Sequence, residues 1–452
     1  MKSWSPGYEI IRTYVRFAFW LTHKRIVVKG RNLIPKGKPI IFAANHQNAL
    51  MDPLALACTN PYQSVWLARA DIFKSKPASR ILKYLKLLPV YRIRDGKENL
   101  SNNEEIFAQV ISLLENKQTI ALFPEAAHSG KRQMLPHKKA IPRIALEAEE
   151  KNQFKLNLQI VPVGIFYSHY WAFNRSIIVE YGKPIGIDKY KDAYLDNPQK
   201  ALLDMRDEIF LQLTPLILNI KSEASYEDYE TMRLLLGREY TRKSSFSRNR
   251  GLRQLYAEKE LIGKLEKLEV EDSKTFEQLS VGVKTYITET EKAGMTDSLV
   301  EKAGKMNWKI LVLQLFTLLI SLPVFLFGLV FNLLPFLVPG LILRRKVKDL
   351  AFLSTFNFVI GLIVFPVFYV LFALLVFAVT QSWIISAITF ILMPFGGKLS
   401  YQLLEFYKDI LDKVRILIMK TQARKQIKQL LTTREDLIQQ FLEKLNFQSP
   451  LK

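Results

Sequence analysis

The sequence is almost without cysteine, since Cys58 is the single cysteine in the chain. One thiol cannot form an internal disulfide bond, and no zinc-ligand spacing of cysteine and histidine is present. The G-x-S-x-G elbow of serine hydrolases is also missing, and Cys58 falls within a predicted helix. The chain therefore offers no covalent nucleophile of the usual hydrolase kind.

Acidic residues are in short supply, with 42 Asp and Glu against 64 Lys and Arg and a net charge of +22. Such a charge raises nucleic acid as a partner, but no RNA-binding signature and no basic base-reading helix occurs. Basic residues instead flank two apolar runs, as the positive-inside rule expects at a cytoplasmic face. They are Lys302, Lys305, Lys309, Arg344, Arg345, Lys346, Lys348 and Lys398. We therefore expect anionic lipid headgroups, and no nucleic acid, as the counter-charge.

Two long stretches, residues 310–343 and 351–397, contain almost no charge. At about 1.5 Å per residue the first exceeds one bilayer core of about 30 Å, and the second can make two short passes. Because the link between them is basic like the flanks, both can enter and return to the same side as hairpins, although simple spans are an alternative. The sequence predicts a membrane protein with its other parts on the cytoplasmic face.

Short apolar runs alternate with helical patterns from residue 25 to residue 220. Strands are predicted at 25–30, 39–42, 64–70, 88–94, the start of 119–130, 159–168 and 176–185, and helices at 81–88, 103–116 and 141–151. This alternation predicts an α/β domain with a mixed sheet. Several strand exits carry polar side chains that could converge at one end of the sheet. These side chains are Asn45, His46, Arg92, Arg94, Glu125 and His128.

The remaining segments are predicted to be helical. Residues 1–24 form an amphipathic helix that either lies in the membrane interface or packs on the α/β domain of residues 25–220. Residues 221–308 form a polar helical connector, and residues 309–397 form the membrane region. Residues 398–452 form an amphipathic C-terminal helix, which either packs on the chain or makes a coiled coil. Homo-oligomerisation through that helix is a hypothesis.

One stretch, PIIFAANHQNALMDP at residues 39–53, combines a strand, a loop with polar side chains and the start of a helix. His46 follows the strand, and Asp52 before Pro53 is predicted to be a helix N-cap. A turn between them can fold Asp52 onto His46. A carboxylate on one imidazole nitrogen fixes the tautomer and leaves the other nitrogen to accept a proton. The alternative is a helix cap beside an ordinary loop histidine.

Four blocks, in order, resemble the glycerol-phosphate and lysophospholipid acyltransferases over roughly residues 25–190. They are NHQNALMD at 45–52, PVYRIRDG at 89–96, FPEAAHSGKRQMLPHKKAIPRIAL at 123–146 and IVPVGI at 160–165. Five residues separate His46 from Asp52 where most members have four. This spacing resembles a subgroup that includes glycerol-phosphate and dihydroxyacetone-phosphate acyltransferases. Ala126 and Ala140 stand where the family usually has glycine.

The resemblance implies transfer of a fatty acyl chain from acyl-CoA or acyl-carrier protein to glycerol 3-phosphate or to a lysophospholipid such as lysophosphatidate. An acyl thioester is already activated, so no cofactor, metal or covalent nucleophile is expected. His46 would be the base and Asp52 its orienter. Substrate contacts would come from Asn45, Arg92, Arg94, Glu125, Lys138 and Lys139. A noncatalytic lipid-binding relative and a lipid hydrolase are the alternatives.

Within this assignment, a guanidinium fork at Arg92 or Arg94 suits the acceptor phosphate, and Lys138 or Lys139 could add positive charge. Glu125 would contact the acceptor's hydroxyls, as the resemblance implies. His128 and His137 match no block residue and lack metal-site spacing.

Overall fold

The structure is a computed structural model that describes residues 4–91, 102–343 and 350–445. The chain divides into two compact units. The first unit consists of residues 1–219 together with 349–355, and the second consists of residues 220–348 and 356–452.

The first unit is built on a sheet that has eight strands in the described residues. The strands are β1 (Arg25–Lys29), β2 (Ile40–Ala44), β3 (Val65–Arg69), β4 (Leu87–Val90), β5 (Thr119–Leu122), β6 (Gln159–Tyr167), β7 (Ser176–Tyr181) and β8 (Ile185–Gly186). Their order in space is β1-β7-β6-β2-β5-β3-β4, and β8 pairs with β6. The pairs β6–β7 and β6–β8 are antiparallel and the others are parallel, so the predicted mixed sheet is confirmed.

The central strand β2 contains no polar residue. All five residues of β2 are buried, and this strand lies between β5 and β6. A strand that is covered on both faces needs apolar side chains on both, which is why the run IIFAA is continuous rather than alternating. The centre of the sheet thus carries β2 and β5, whose following loops hold the polar motifs, with β6 beside β2.

Seven helices are described in the first unit: α1 (Pro6–Thr22), α2 (Met51–Thr59), α3 (Lys76–Tyr84), α4 (Asn102–Glu115), α5 (Ala140–Lys151), α6 (Lys191–Asp196) and α7 (Pro198–Leu213). The predicted helix at 81–88 is wrong in its bounds. Helix α3 begins earlier, where the Ser75 hydroxyl caps the Ala78 N–H. It ends before Lys86, whose left-handed backbone (φ 62°) turns the chain into β4.

Helix α1 divides its faces between the unit and the outside. Tyr8 and Phe19 are buried, and Arg12 donates to the carbonyl of Tyr62 at 2.6 Å. Ile10 and Trp20 on the other side are exposed. The helix therefore packs on the first unit with one face and presents an amphipathic, aromatic face outward.

The regular secondary structure described in the second unit is helical. Its helices are α8 (Tyr226–Lys243), α9 (Arg250–Glu271), α10 (Ser273–Lys292), α11 (Asp297–Gly304), α12 (Trp308–Leu343), α13 (Leu350–Thr380, whose first residues are assigned to the first unit), α14 (Trp383–Gln422) and α15 (Arg424–Lys444). Helices α8–α11 make up the predicted polar connector. A buried ion pair between Arg233 and Glu258 (2.9 Å) joins α8 to α9.

Three of the described helices, α12, α13 and α14, are long and apolar enough to cross a membrane. The second apolar run is divided between α13 and α14 by a break at Gln381 and Ser382. Helix α14 continues through residue 398, where the sequence placed a domain boundary, and it ends at Gln422.

Helices α12 and α14 run antiparallel. Early in α12, Gln314 contacts Asp409 of α14, whereas later Asn332 donates to the carbonyl of Met393 at 3.0 Å. Between these contacts the hydroxyls of Ser321 and Tyr407 are 2.9 Å apart. Rising numbers in α12 thus meet falling numbers in α14 from Gln314 to Asn332.

The C-terminal helix α15 covers its apolar face within its own chain. Ile427 and Leu430 are buried in a cluster with Leu299 and Val300 of α11. Of the two predicted arrangements, this is the helix packed on the chain. Homo-oligomerisation stays a prediction.

Candidate active site

The loop between β2 and α2 brings His46 and Asp52 into contact. His46 Nδ1 lies 2.9 Å from Asp52 Oδ2. The predicted N-cap role of Asp52 is wrong, because Leu50 is the N-cap and Asp52 is already the second residue of α2. Its Oδ2 instead accepts the backbone N–H groups of Gln47 (2.8 Å) and Asn48 (2.7 Å). The carboxylate thus holds the loop closed and holds the histidine on it.

The contact fixes which imidazole nitrogen is available. Since a carboxylate only accepts hydrogen bonds, Nδ1 carries the proton and Nε2 presents a lone pair. Among the described residues no hydrogen bond is made to Nε2, and the side chain is 17% exposed whereas that of Asp52 is fully buried. The ring stacks on Phe123 with centroids 4.3 Å apart. The histidine is therefore oriented, with one nitrogen open to accept a proton.

Glu125 supports this loop from the exit of β5. Its Oε1 accepts the backbone N–H of His46 at 2.7 Å, and Oε2 accepts that of Leu135 at 2.8 Å. Burial raises the pKa of Glu125 to about 8, against the lowering effect of the two N–H donors. Both carboxyl oxygens are thus used by the backbone, and a contact with the acceptor's hydroxyls stays a prediction.

The other predicted substrate contacts are placed as follows. Asn45 is buried, and its amide pairs with the backbone of Ile165 through both Nδ2 (3.1 Å) and Oδ1 (2.7 Å). The side chains of Lys138 and Lys139 are exposed, and the N–H of Lys138 donates to Pro124 in the Phe-Pro-Glu turn. Arg92 and Arg94 lie outside the described residues.

Two histidines of the third block occupy different surroundings. The ring of His128 lies 5.8 Å from that of His46 and 5.2 Å from that of Phe352. His137 is buried against the ring of Phe210, 5.0 Å away. Within the described ranges no group of three or more His, Cys, Asp or Glu side chains is arranged to hold a metal ion.

Two features of the site bear on the alternatives to acyl transfer. Cys58 is buried in α2, and burial raises the pKa of its thiol to about 12, so it is a poor nucleophile.

Ala126 has a left-handed backbone (φ 57°), a conformation that favours glycine. The turn therefore keeps its special conformation although the residue is alanine.

Sequence reasoning missed one buried side chain that contacts the pair. The hydroxyl of Tyr167, the last residue of β6, donates to Asp52 Oδ1 at 2.8 Å. Its signal was a tyrosine at the end of an otherwise apolar strand, in the stretch that follows the fourth block.

Residues 25–166 match the family model described as Acyltransferase. This region is an acyltransferase-family domain. Residues 253–451 match a second family model, described as Glycerol-3-phosphate acyltransferase 2 C-terminal domain. Strand β2 leads into the first block of the acyltransferase domain, β5 leads into the third block, and β6 contains the fourth. These three strands are neighbours in the sheet.

Three curated relatives match parts of this chain. Glycerol-3-phosphate O-acyltransferase 2 of Saccharomyces cerevisiae is 27% identical over 135 residues, which are 30% of this chain and 17% of that protein. Glycerol-3-phosphate O-acyltransferase 1 of the same yeast is 30% identical over 128 residues, 28% of this chain and 16% of that protein. The 1-acyl-sn-glycerol-3-phosphate acyltransferase of Borreliella burgdorferi is 24% identical over 181 residues, 40% of this chain and 66% of that protein. The matched region thus spans only about a sixth of each yeast protein.

Proposed function

We propose that this chain is a membrane-associated O-acyltransferase of phospholipid synthesis or remodelling. It would transfer a fatty acyl chain from an acyl thioester to a hydroxyl of glycerol 3-phosphate or lysophosphatidate. The observation that carries the proposal is the contact of His46 Nδ1 with the buried carboxylate of Asp52, which leaves Nε2 available as a base.

In the proposed reaction, His46 Nε2 accepts the proton of the acceptor hydroxyl as its oxygen attacks the thioester carbonyl carbon. The tetrahedral intermediate then expels the thiolate, and the imidazolium returns the proton to that sulfur. The products are an ester and a free thiol, so no cofactor and no covalent enzyme intermediate is needed. Asp52 stabilises the imidazolium and fixes the ring, as a carboxylate does in a catalytic triad.

The names of the relatives support an acceptor that carries a phosphate. Two of them are glycerol-3-phosphate O-acyltransferases, and the match over residues 253–451 is to the C-terminal domain of such an enzyme. The Borreliella relative acts by its name on a 1-acylated glycerol 3-phosphate. We assign the phosphate to Arg92 or Arg94, with Lys138 and Lys139 as further cations. Glycerol 3-phosphate is the first acceptor to test.

The membrane part of the proposal comes from the second unit. Helices α12–α14 are suited by length and composition to a bilayer, and basic residues flank them. By the positive-inside rule, the acyltransferase domain would face the cytoplasm, where acyl-CoA or acyl-carrier protein is the donor.

The test uses the purified full chain in lipid nanodiscs, with acyl-CoA and acyl-carrier protein as donors. The acceptors are glycerol 3-phosphate, dihydroxyacetone phosphate and lysophosphatidate. We expect His46→Ala to lower kcat by roughly 100-fold to 10,000-fold, which is the usual contribution of a general base. The control is His169→Asn, at an exposed histidine. It should keep the wild-type rate.

Three results would count against the proposal. Acyl transfer that survives His46→Ala unreduced would remove the base. Fatty acid released without any acceptor would identify a hydrolase, and lipid binding with no turnover for any acceptor would identify a noncatalytic relative. For the phosphate assignment, Arg92→Ala or Arg94→Ala should raise KM for the acceptor far more than KM for the donor, and equal effects would contradict it.

A further inference from the structure

Tyr167 contacts the one oxygen of Asp52 that the loop leaves open. Three donors already converge on Oδ2: His46 Nδ1 and the N–H groups of Gln47 and Asn48. In the described part of the chain, Tyr167 is the donor to Oδ1, at 2.8 Å, and its side chain is fully buried. A terminal carboxylate torsion is soft, so contacts at one oxygen alone leave the group free to rotate. The tyrosine removes that freedom.

A buried cation lies behind the tyrosine ring. The guanidinium carbon of Arg175 is 4.8 Å from the ring centroid of Tyr167, and the arginine is buried. Its Nε is 3.4 Å from Nε2 of His23, and its Nη1 has no hydrogen-bond partner among the described residues. The other nitrogen of His23 must carry a proton, because it lies 2.6 Å from the carbonyl oxygen of Phe19. His23 therefore accepts the hydrogen bond of Arg175 as an uncharged imidazole. It has no negative charge with which to neutralise the guanidinium.

The charge of Arg175 and the carboxylate of Asp52 interact across the Tyr167 ring. Burial lowers the pKa of Arg175, while the negative charge of Asp52 raises it. Burial, first of all, and then the neighbouring Asp52 hold the pKa of Tyr167 well above its usual range, so its hydroxyl keeps the proton that it donates. A buried carboxylate needs both hydrogen bonds and a counter-charge to stay ionised.

We propose that Tyr167 is a positioning residue of the His46–Asp52 pair and that Arg175 supports it from behind. Tyr167 fixes the plane of the carboxylate through Oδ1, and the positive charge of Arg175 attracts the carboxylate of Asp52 across the tyrosine ring. This inference rests on the proposed acyl transfer, because it assigns a role in orienting the base of that reaction.

The central test is Tyr167→Phe in the full chain. A hydrogen bond to a charged group accounts for roughly a 10-fold to 100-fold change in rate, so we expect kcat to fall by that factor. KM for donor and acceptor should stay within about twofold, because Tyr167 contacts Asp52 rather than substrate. The matched control is Tyr181→Phe. Tyr181 is equally buried in the neighbouring strand β7, but its hydroxyl is hydrogen-bonded to neutral Thr59 at 2.9 Å. That variant should keep kcat within about twofold of wild type.

A double-mutant cycle separates positioning from general support of the fold. Tyr167→Phe is combined with Asp52→Ala, and the residual kcat and the thermal unfolding midpoint of all four proteins are measured. If Tyr167 acts through Asp52, its substitution has little further effect once the carboxylate is gone. A tyrosine that only supports the fold would lower kcat by the same factor in both backgrounds. Arg175→Lys should retain turnover that Arg175→Met loses, because lysine keeps the charge.

The outcomes distinguish this inference from the function on which it rests. A wild-type chain that transfers acyl groups, with Tyr167→Phe equal to Tyr181→Phe and additive with Asp52→Ala, overturns the inference and leaves the function standing. A wild-type chain without turnover on any acceptor overturns the function. In that case the coupling in the unfolding midpoint still decides whether Tyr167 holds Asp52: additive midpoints overturn the contact, and non-additive midpoints support it.

Discussion

At the scale of single residues, two buried glutamates of the first unit have the same local structure and different consequences. Glu125 accepts N–H groups from His46 and Leu135, and Glu149 accepts them from Leu158 (2.6 Å) and Leu156 (3.1 Å). Glutamine can accept at only one end, so Glu125→Gln and Glu149→Gln should each cost about 1–3 kcal/mol of stability. We expect only Glu125→Gln to lower kcat, by about tenfold, because it releases the loop that carries the base.

The measurements for this pair are the thermal unfolding midpoint and the acyl-transfer rate of each variant. Glu149 is the control, since its two donors lie in the segment between α5 and β6 rather than on the His46 loop. An equal loss of rate in both variants would show that the effect is one of general stability.

His137 predicts an acid sensitivity of the fold. Neither ring nitrogen has a hydrogen-bond partner within the described ranges, and burial lowers the pKa of His137 to about 4. The unfolded chain binds a proton near pH 6.5, its ordinary value, so the unfolded state takes up more protons between the two values. The contribution of His137 to stability is therefore complete above pH 6.5 and is lost as the pH falls toward 4.

Replacing His137 by phenylalanine removes both buried polar atoms and keeps an aromatic ring against Phe210. We expect His137→Phe to have a higher thermal midpoint than wild type at pH 5, with a smaller difference at pH 7.5. His169→Asn, at an exposed position, should follow the wild-type curve. Parallel curves for His137→Phe and wild type between pH 5 and pH 7.5 would rule out this protonation as a cause of acid sensitivity.

At the scale of elements, sequence patterns predict strands best where one environment dictates every residue. The continuous apolar runs gave β2 and β6 correctly, because a central strand is buried on both faces. The helix predicted at 81–88 failed because a left-handed residue, Lys86, ends α3 and no glycine marks the position. The N-cap of α2 failed because Asp52 turns its carboxylate toward the loop and His46 rather than toward the helix.

The close approach of α12 and α14 depends on a glycine. A Cβ at Gly328 would lie 2.2 Å from the backbone oxygen of Gly396 and 1.9 Å from the hydroxyl of Ser400. Because backbone cannot move aside cheaply, Gly328→Ala should destabilise the helix pair by roughly 1–3 kcal/mol. At Gly340, in the same helix, nothing lies within 4 Å of an added Cβ. There Gly340→Ala should be neutral or gain up to about 1 kcal/mol from helix propensity.

The comparison requires equilibrium unfolding of both variants in the same detergent, followed by tryptophan fluorescence. The two glycines share a helix and a substitution, so the difference between them isolates the contact with α14. Equal stabilities for the two variants would mean that the backbones do not approach this closely.

At the scale of the whole chain, what the sequence left open is what depends on contacts between distant residues. Tyr167 and Asp52 are 115 positions apart, and a tyrosine at the end of an apolar strand does not reveal which residue it contacts. Asn45 is likewise recognisable in the sequence as a polar residue after a strand. The structure adds that both ends of its amide pair with the backbone of Ile165 across the sheet. Motif order predicted the family and the His46–Asp52 contact, but the groups behind the motif required the structure.

A pairing of the same kind bears on the membrane topology. Lys302, just before α12, is paired with Asp409 and Asp412 of α14, each at 2.8 Å. In a bilayer, charged groups in contact would lie on the same aqueous side, and antiparallel α12 and α14 would run through it in opposite directions. Three successive one-way spans would instead make these two helices parallel. The pairing therefore argues against three one-way spans, while the return of each apolar run to its starting side stays a prediction.

We expect both ends of the apolar region to be accessible from one side of the membrane. The experiment places single cysteines at two exposed lysines, Lys309→Cys in α12 and Lys408→Cys in α14, in a Cys58→Ser background. The native cysteine Cys58 is buried, so the wild-type chain serves as the control for background labelling. In sealed vesicles an impermeant maleimide should label both positions from the same side, because these helix segments lie side by side. Labelling of the two from opposite sides would establish an odd number of crossings between them and would exclude the antiparallel pairing of α12 with α14.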